Sequence, residues 1–196
     1  MAYIGMRYPV FAPVSSHTDG SAISYGSGMV IGPAVAANVT FDTQDNPDYG
    51  DDIVIDSDNG INGYSISLEV NDISAAGRAS LLGWKAKTSG TPATVQEYEI
   101  TDEEAPLGGF GFVRVKLYNG TRKYEGFWFH KLRFVSSSED ASTKQKQITW
   151  NHPKLTGTGI GAYIDDSGNA KYFSWMEFDT EAAAKSWLNT KAGISS

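Results

Sequence analysis

The chain contains no cysteine. Disulfides, thiolate metal sites and cysteine nucleophiles are thereby excluded. Histidine is scarce: His17, His130 and His152 lie far apart, with no His-Glu-x-x-His run and no pair at helical spacing, so the usual zinc designs are missing. No apolar stretch approaches the ~20 residues that a membrane-spanning helix needs. The opening residues 1–8 lack the basic-then-apolar profile of a secretory leader, so folding in the cytoplasm without a membrane is expected. The most pointed absence is of positive charge: between Arg7 and Arg78 there is no lysine or arginine.

What the chain does hold is acid. Its 196 residues carry 23 Asp plus Glu against 16 Lys plus Arg, a formal charge of −7 and a pI near 4.9. Tight nucleic-acid binding needs basic surface, and this balance argues against it. Residues 8–77 hold ten acids and no base, whereas residues 78–196 hold 15 bases and 13 acids. A segment of one sign serves either as a solvated acidic surface or as one half of a head-to-tail contact between copies. Heterologous contacts of the second kind generate rings or filaments. Hydrophobic residues make up 40% of the chain, enough for one core at this length.

Most of the sequence reads as β. Tyr64, Ile66, Leu68 and Val70 alternate with Ser65, Ser67 and Glu69, the pattern of a half-buried strand. Val35, Ala37, Val39 and Phe41 alternate likewise with Ala36, Asn38 and Thr40. Between them, residues 42–60 carry seven aspartates, Pro47 and Gly50, which reads as a long acidic loop. The apolar run Ile53-Val54-Ile55 inside it suggests a hairpin-like arm. Asn119-Gly120 supplies the two positive-φ positions of a type I′ turn and predicts a hairpin in which Arg114 opposes Glu125 and Phe112 opposes Phe127. Further strands are expected at 145–151, 160–164 and 170–178, with a turn over 165–169. Ile73, Ala76, Gly77, Ser80, Leu81 and Trp84 follow helical spacing, with Asp72 as cap and Gly83 as stop. A second helix over about 180–192 starts at Asp179 or Thr180, buries Ala184, Trp187 and Leu188, and ends at Gly193. Ser, Thr and Gly enrichment near both ends suggests an N-terminal arm over about residues 1–25. The expected fold is mainly β (α+β): one domain over 1–196, an antiparallel β-sandwich or open barrel with one or two flanking helices and a long acidic loop.

Residues that could carry chemistry are few. Asp56-Ser57-Asp58-Asn59-Gly60 has the composition of a calcium loop, but its glycine falls at the fifth position and Ser67 occupies the twelfth, where a bidentate Glu belongs. The runs Gly109-Phe110-Gly111 and Gly157-Thr158-Gly159-Ile160-Gly161 lack dinucleotide spacing and a P-loop lysine, so bends or close packing explain them better. Glu97 and Glu99 share one strand face, yet glycosidase carboxylates must flank a sugar across a cleft. No enzyme and no cofactor emerges.

The chain resembles the major tail proteins, or tail tube proteins, of long non-contractile-tailed phages of Gram-positive bacteria. The resemblance runs over roughly residues 3–160. It begins at Tyr3-Ile4-Gly5-Met6-Arg7-Tyr8-Pro9-Val10 and continues through Ile31-Gly32-Pro33-Ala34 to Thr40. It is densest at Tyr49-Gly50-Asp51-Asp52 and 56–60, then resumes at Leu81-Leu82-Gly83, Ala105-Pro106, 109–114, 139–144 and Ile148-Thr149-Trp150. Where many relatives carry a proline before Glu139-Asp140, this chain has Ser136-Ser137-Ser138.

The resemblance implies a subunit that forms hexameric rings stacked into a hollow tube. Genome DNA would pass through that tube without specific binding, and tape-measure and tail terminator proteins would be its partners in a virion tail. It implies that the segment bearing Asp42, Asp45, Asp48, Tyr49, Asp51, Asp52, Asp56 and Asp58 reaches a neighbouring subunit or ring. Arg78, Lys85, Lys87, Lys144 and Lys146 are candidate recipients; Ser65, Ser67, Glu69, Glu97 and Glu99 are candidates for the bore. A carbohydrate-binding β-sandwich module is the alternative, and a hydrolase using Glu97 and Glu99 a third reading.

Overall fold

Asn119 and Gly120 take φ values of 48° and 78°, the two left-handed positions that a type I′ turn requires. The turn joins β8 (Gly108–Tyr118) to β9 (Thr121–Ser138) in the predicted register, with Arg114 opposite Glu125 and Phe112 opposite Phe127. The computed structural model describes residues 2–18, 22–50, 53–90, 92–138, 151–162 and 169–195.

Around this hairpin an open antiparallel sheet is assembled. Its other members are β1 (Ala2–Ser16), β2 (Ser24–Tyr25), β3 (Met29–Val30), β4 (Ala34–Gly50), β5 (Ile53–Val70), β10 (Lys154–Ile160) and β11 (Phe173–Phe178). The order is β2-β1-β8-β9-β10-β5-β4, with β11 added to β9 and β3 to β1. One edge of the long strand β9 therefore serves two partners, β11 along 124–129 and β10 along 132–138. A separate two-stranded sheet pairs β6 (Lys85–Ser89) with β7 (Thr94–Glu99). Among the described residues the fold is mainly β with two helices, and the sheet does not close.

Two apolar clusters hold the sheet. In the first, Tyr64, Ile66, Leu68 and Val70 of β5 meet Phe110, Phe112, Phe129, Leu132 and Phe134, so the two halves of the sheet share one interior. In the second, α2 (Glu181–Ala192) lays Ala184, Leu188 and Ala192 against Val10, Ala12, Val113 and Trp128. The glycine runs belong to this packing. A Cβ on Gly109 would lie 2.3 Å from the Trp128 ring, and one on Gly159 would lie 2.0 Å from the Tyr64 ring. These glycines are notches for aromatic rings, as the close-packing reading expects.

Both helices are capped by side chains. Thr180 accepts a hydrogen bond from the Ala183 amide, and Gly193 ends α2 at φ 64°. In α1 (Ala75–Leu82) the cap is Ser74, which accepts from the Gly77 amide; the expected Asp72 lies outside the helix, because the chain enters it two residues later.

Four expectations need correction. The segment expected as a free N-terminal arm is largely β1, paired along β8 from Ala2 to Pro13, with Val10, Phe11 and Ala12 wholly buried. The stretch 42–60 is the outer half of the β4–β5 hairpin, so the hairpin-like arm expected from Ile53-Val54-Ile55 stands and the long irregular loop around it does not. The strand placed at 160–164 ends at Ile160, because β10 occupies Lys154–Ile160. The strand placed at 170–178 begins at Phe173. The strand expected at 145–151 lies outside the described residues except for Asn151, as does the turn at 165–169 except for Asn169.

Candidate functional site

The acidic segment is a ribbon. β10 pairs with β5 from Gly63 to Glu69, so among the described residues the β4–β5 hairpin consists of two strands alone from Thr43↔Ile61 outward. Its root is anchored where Tyr172 donates its hydroxyl to the Ile61 carbonyl and where the Phe41 and Phe173 rings pack 5.4 Å apart. Asp42 and Asp45 are exposed. Farther out, the backbone register sets Asp45 opposite Asn59, Asn46 opposite Asp58, and Asp48 opposite Asp56. No lysine or arginine lies within either strand. Tyr49 is paired with Val54 near the tip; Asp51 and Asp52 lie outside the described residues.

The candidate recipients are not free cations. Lys85 reaches Glu103 at 2.5 Å, and Lys87 reaches Glu97 at 2.6 Å and Glu99 at 3.6 Å. Arg78, on α1, is also engaged within the chain. Lys144 and Lys146 lie outside the described residues. Glu97 and Glu99 consequently sit on the β6–β7 hairpin as partners of one lysine. Ser65, Ser67 and Glu69 stand apart from them, on the outward face of β5, where Glu69 lies 3.0 Å from the His152 ring. The candidate bore residues thus fall in two places, and only the β5 set belongs to the main sheet.

Composition and spacing did not reveal a groove of about 470 Å³ between the outer edges of β1 and β4. Tyr3, Gly5 and Met6 form one lip, Val35 to Val39 and Phe41 the other, and Phe112, Arg114, Phe127 and Phe129 form the floor. Neither lip carries a charge, although Tyr3, Val35 and Phe41 are exposed. Among the described residues both edges lack a strand partner here. Exposed edges are ordinarily guarded by charge or proline. These are unguarded.

Beside the groove, the aromatic face gives way to ions. The Arg114 guanidinium lies over the Tyr3 ring at 3.9 Å and the Phe127 ring at 4.7 Å, and donates to Glu125 at 2.7 and 2.9 Å. Lys116 donates to Glu125 at 3.0 Å and also to Glu177. Burial alone would push the Glu125 carboxyl up, but the hydrogen bonds from Lys116 and Arg114 and their charges hold it below the ordinary range. Glu177, and after it Glu125, raise the Lys116 ammonium. The Glu125 carboxylate and the Lys116 ammonium are each favoured in the charged form. Its sequence signal was the spacing Phe112-x-Arg114-x-Lys116, charge continuing an aromatic strand face.

His130 is the clearest buried titratable group. Its Nε2 lies 2.9 Å from Ser174 Oγ, and the Tyr25 hydroxyl donates to its backbone carbonyl at 2.7 Å. Burial first, then the charges of Lys191 and Lys171, lower its pKa to about 4. The folded protein holds this ring neutral while the unfolded chain binds a proton below about pH 6.5. Its contribution to stability is therefore complete above pH 6.5 and is lost as pH falls toward 4, by roughly 3 kcal/mol. Urea unfolding between pH 7 and pH 4 should show this decline, and the His130→Gln variant should show a flatter profile. Identical profiles would refute it.

No helix among the described residues is long and apolar enough to cross a membrane. No protein-family model matches the chain, and no curated protein sequence matches it.

Proposed function

We propose that the chain is a structural subunit whose copies join into hexameric rings and stack into the hollow tail tube of a long non-contractile-tailed phage. The genome passes through that tube. The observation that carries this reading is the acidic ribbon, which extends past the last described strand that supports it, exposes Asp42 and Asp45, and has no lysine or arginine in either strand. A neighbour's cations would answer that charge, and the polarity of such a contact builds stacks rather than closed dimers. The stretches of β1 and β4 that flank the groove, 3–6 and 35–41, carry neither charge nor proline and add a second reason to assemble, since pairing them between copies satisfies their backbone groups. Tape-measure and terminator proteins would bound the length of the tube, and assembly would take place in the host cytoplasm.

Electron microscopy of purified protein tests the reading: rings or tubes are expected. Asp42→Lys combined with Asp45→Lys should abolish polymerisation while leaving the melting temperature of the monomer within a few degrees. A wild-type protein that stays monomeric at every concentration and salt would rule the reading out. A second reading, a carbohydrate-binding module, is favoured by the exposed aromatics Tyr3, Phe41 and Trp175, the last stacked on Phe127. Calorimetry that detects no heat with cell-wall glycans would remove it.

A further inference from the structure

Two central rows of the outward face of β4, β5 and β10 are built from short uncharged polar side chains, between a row that holds Glu69 and Lys154 and one that holds Asp42. Antiparallel register aligns Asn38, Ser67 and Thr156 in one row across the three strands, and Thr40, Ser65 and Thr158 in the next. Five of these six side chains are exposed, and Thr156 is half-buried. Neighbouring rows are ~7 Å apart and neighbouring strands ~4.8 Å apart, so hydroxyl and amide groups form a small flat grid. Its other side is the core. On β10 the alternation Thr156-Gly157-Thr158-Gly159 turns hydroxyls outward and glycine notches inward, where Phe134 and Tyr64 press against the backbone.

The face is unusual for what it omits. A solvent-facing strand normally carries lysines and glutamates, but β4 and β5 lie within the segment that has no lysine or arginine. The nearest cations, one on β9 and one at the start of β10 itself, are answered within the chain. Arg133, opposite Thr158, reaches Glu104 at 2.5 Å, and Lys154 lies opposite Glu69. Duplex DNA adheres to proteins chiefly through lysine and arginine on its phosphates, with release of counterions. A wall repeated in every copy magnifies any such attraction. Hydroxyl and amide groups exchange water for phosphate oxygens with little net gain.

Resting on the tube reading above, we infer that this Asn/Ser/Thr grid is the wall of the bore, and that DNA slides past it over bound water because its two rows hold no cation and Lys154 at their margin is engaged within the chain. The acid of the chain belongs to the contacts between copies, and Glu97 and Glu99 are not part of the wall.

The absence of cysteine makes the test clean, because a single introduced thiol is the only one present. Ser67→Cys and, on another strand, Thr158→Cys are prepared as monomers and as assembled tubes. Each is treated with N-ethylmaleimide or with a maleimide on a polyethylene glycol chain too bulky to enter a DNA-sized channel. Monomers should react with both reagents. In tubes the small reagent should still react at a comparable rate, and the bulky one should be slower by at least an order of magnitude. Tubes that react equally fast with both would place the face outside. Tubes that react with neither would place it within an interface. Either result overturns this inference and leaves the tube reading standing. Failure of the wild-type protein and both variants to form any tube overturns the tube reading, and the inference falls with it.

Discussion

Gly159→Ala is expected to cost the protein ~3 kcal/mol or more, out of proportion to the single methyl group added. The new Cβ would stand 2.0 Å from Cζ of Tyr64 and 2.5 Å from its hydroxyl. Neither side has room to retreat. Gly159 is paired on both edges, with Tyr64 of β5 and Leu132 of β9, so its backbone is held by two ladders. Tyr64 is 2% exposed, packs 5.1 Å from the Phe129 ring, and donates its hydroxyl to the Lys131 carbonyl at 3.0 Å. Burial also pushes the Tyr64 phenol well above its ordinary pKa, which keeps it protonated as that donor. Overpacking here must break the hydrogen bond or part the strands. Urea denaturation should register the loss, and Tyr64→Leu introduced together with Gly159→Ala should recover part of it. A Gly159→Ala protein as stable as the wild type would show that the notch is not filled as described.

Glu125→Ala is expected to cost about 2–3 kcal/mol. The carboxylate is 5% exposed and is the shared acceptor of Arg114 and Lys116, whose side chains are 35% and 10% exposed. Removing it leaves two cations side by side on adjacent positions of one strand face. Arg114 keeps a third of its side chain in water, so the loss should fall below that of a wholly enclosed pair. Glu177, two-fifths exposed, retains Lys116 but cannot replace both contacts. The combined variant Lys116→Met with Glu125→Leu removes both charges of one pair and should be more stable than Glu125→Ala alone, since desolvated ions are then exchanged for apolar contact. Thermal unfolding of the three proteins checks the order. If Glu125→Ala melts with the wild type, the network adds nothing to stability.

Several features were legible before any coordinates. Alternation assigned the inward face of β5 correctly, because residues of a strand buried on one side must repeat every second position. The Asn119-Gly120 turn set the register of the β8–β9 hairpin, because two adjacent positive-φ residues permit few loop geometries. Gly193 marked the end of α2 for the same kind of reason: it occupies the left-handed conformation that stops a helix.

Other features escaped a local reading. Pro47, Gly50 and seven aspartates gave residues 42–60 the composition of a loop, yet a ladder from Asp42↔Gly63 to Gly50↔Ile53 makes them a ribbon. Hydrogen bonding between the two backbones overrode side-chain preference there. The recipients chosen for the acidic segment were lysines counted by charge, and Lys87 proved to face glutamates across its own hairpin. Charge can be summed along a chain, but whether a cation is free depends on what folds beside it.

By itself, the sequence determined the β character of the chain, its turn and the glycine-marked ends of its helices, the outward and inward faces of its strands, and the segregation of acid into residues 8–77. These follow from stereochemistry and solvation acting over a few neighbouring residues. Only the tertiary structure decided that β1 is an integral strand beside β8, that glycine runs are notches for Trp128 and Tyr64, and that Asn38, Ser67 and Thr156 share one row. Each of these depends on segments remote in the chain meeting in space. Which segments meet is settled by the packing free energy of the whole sheet, a quantity that no short window of residues contains.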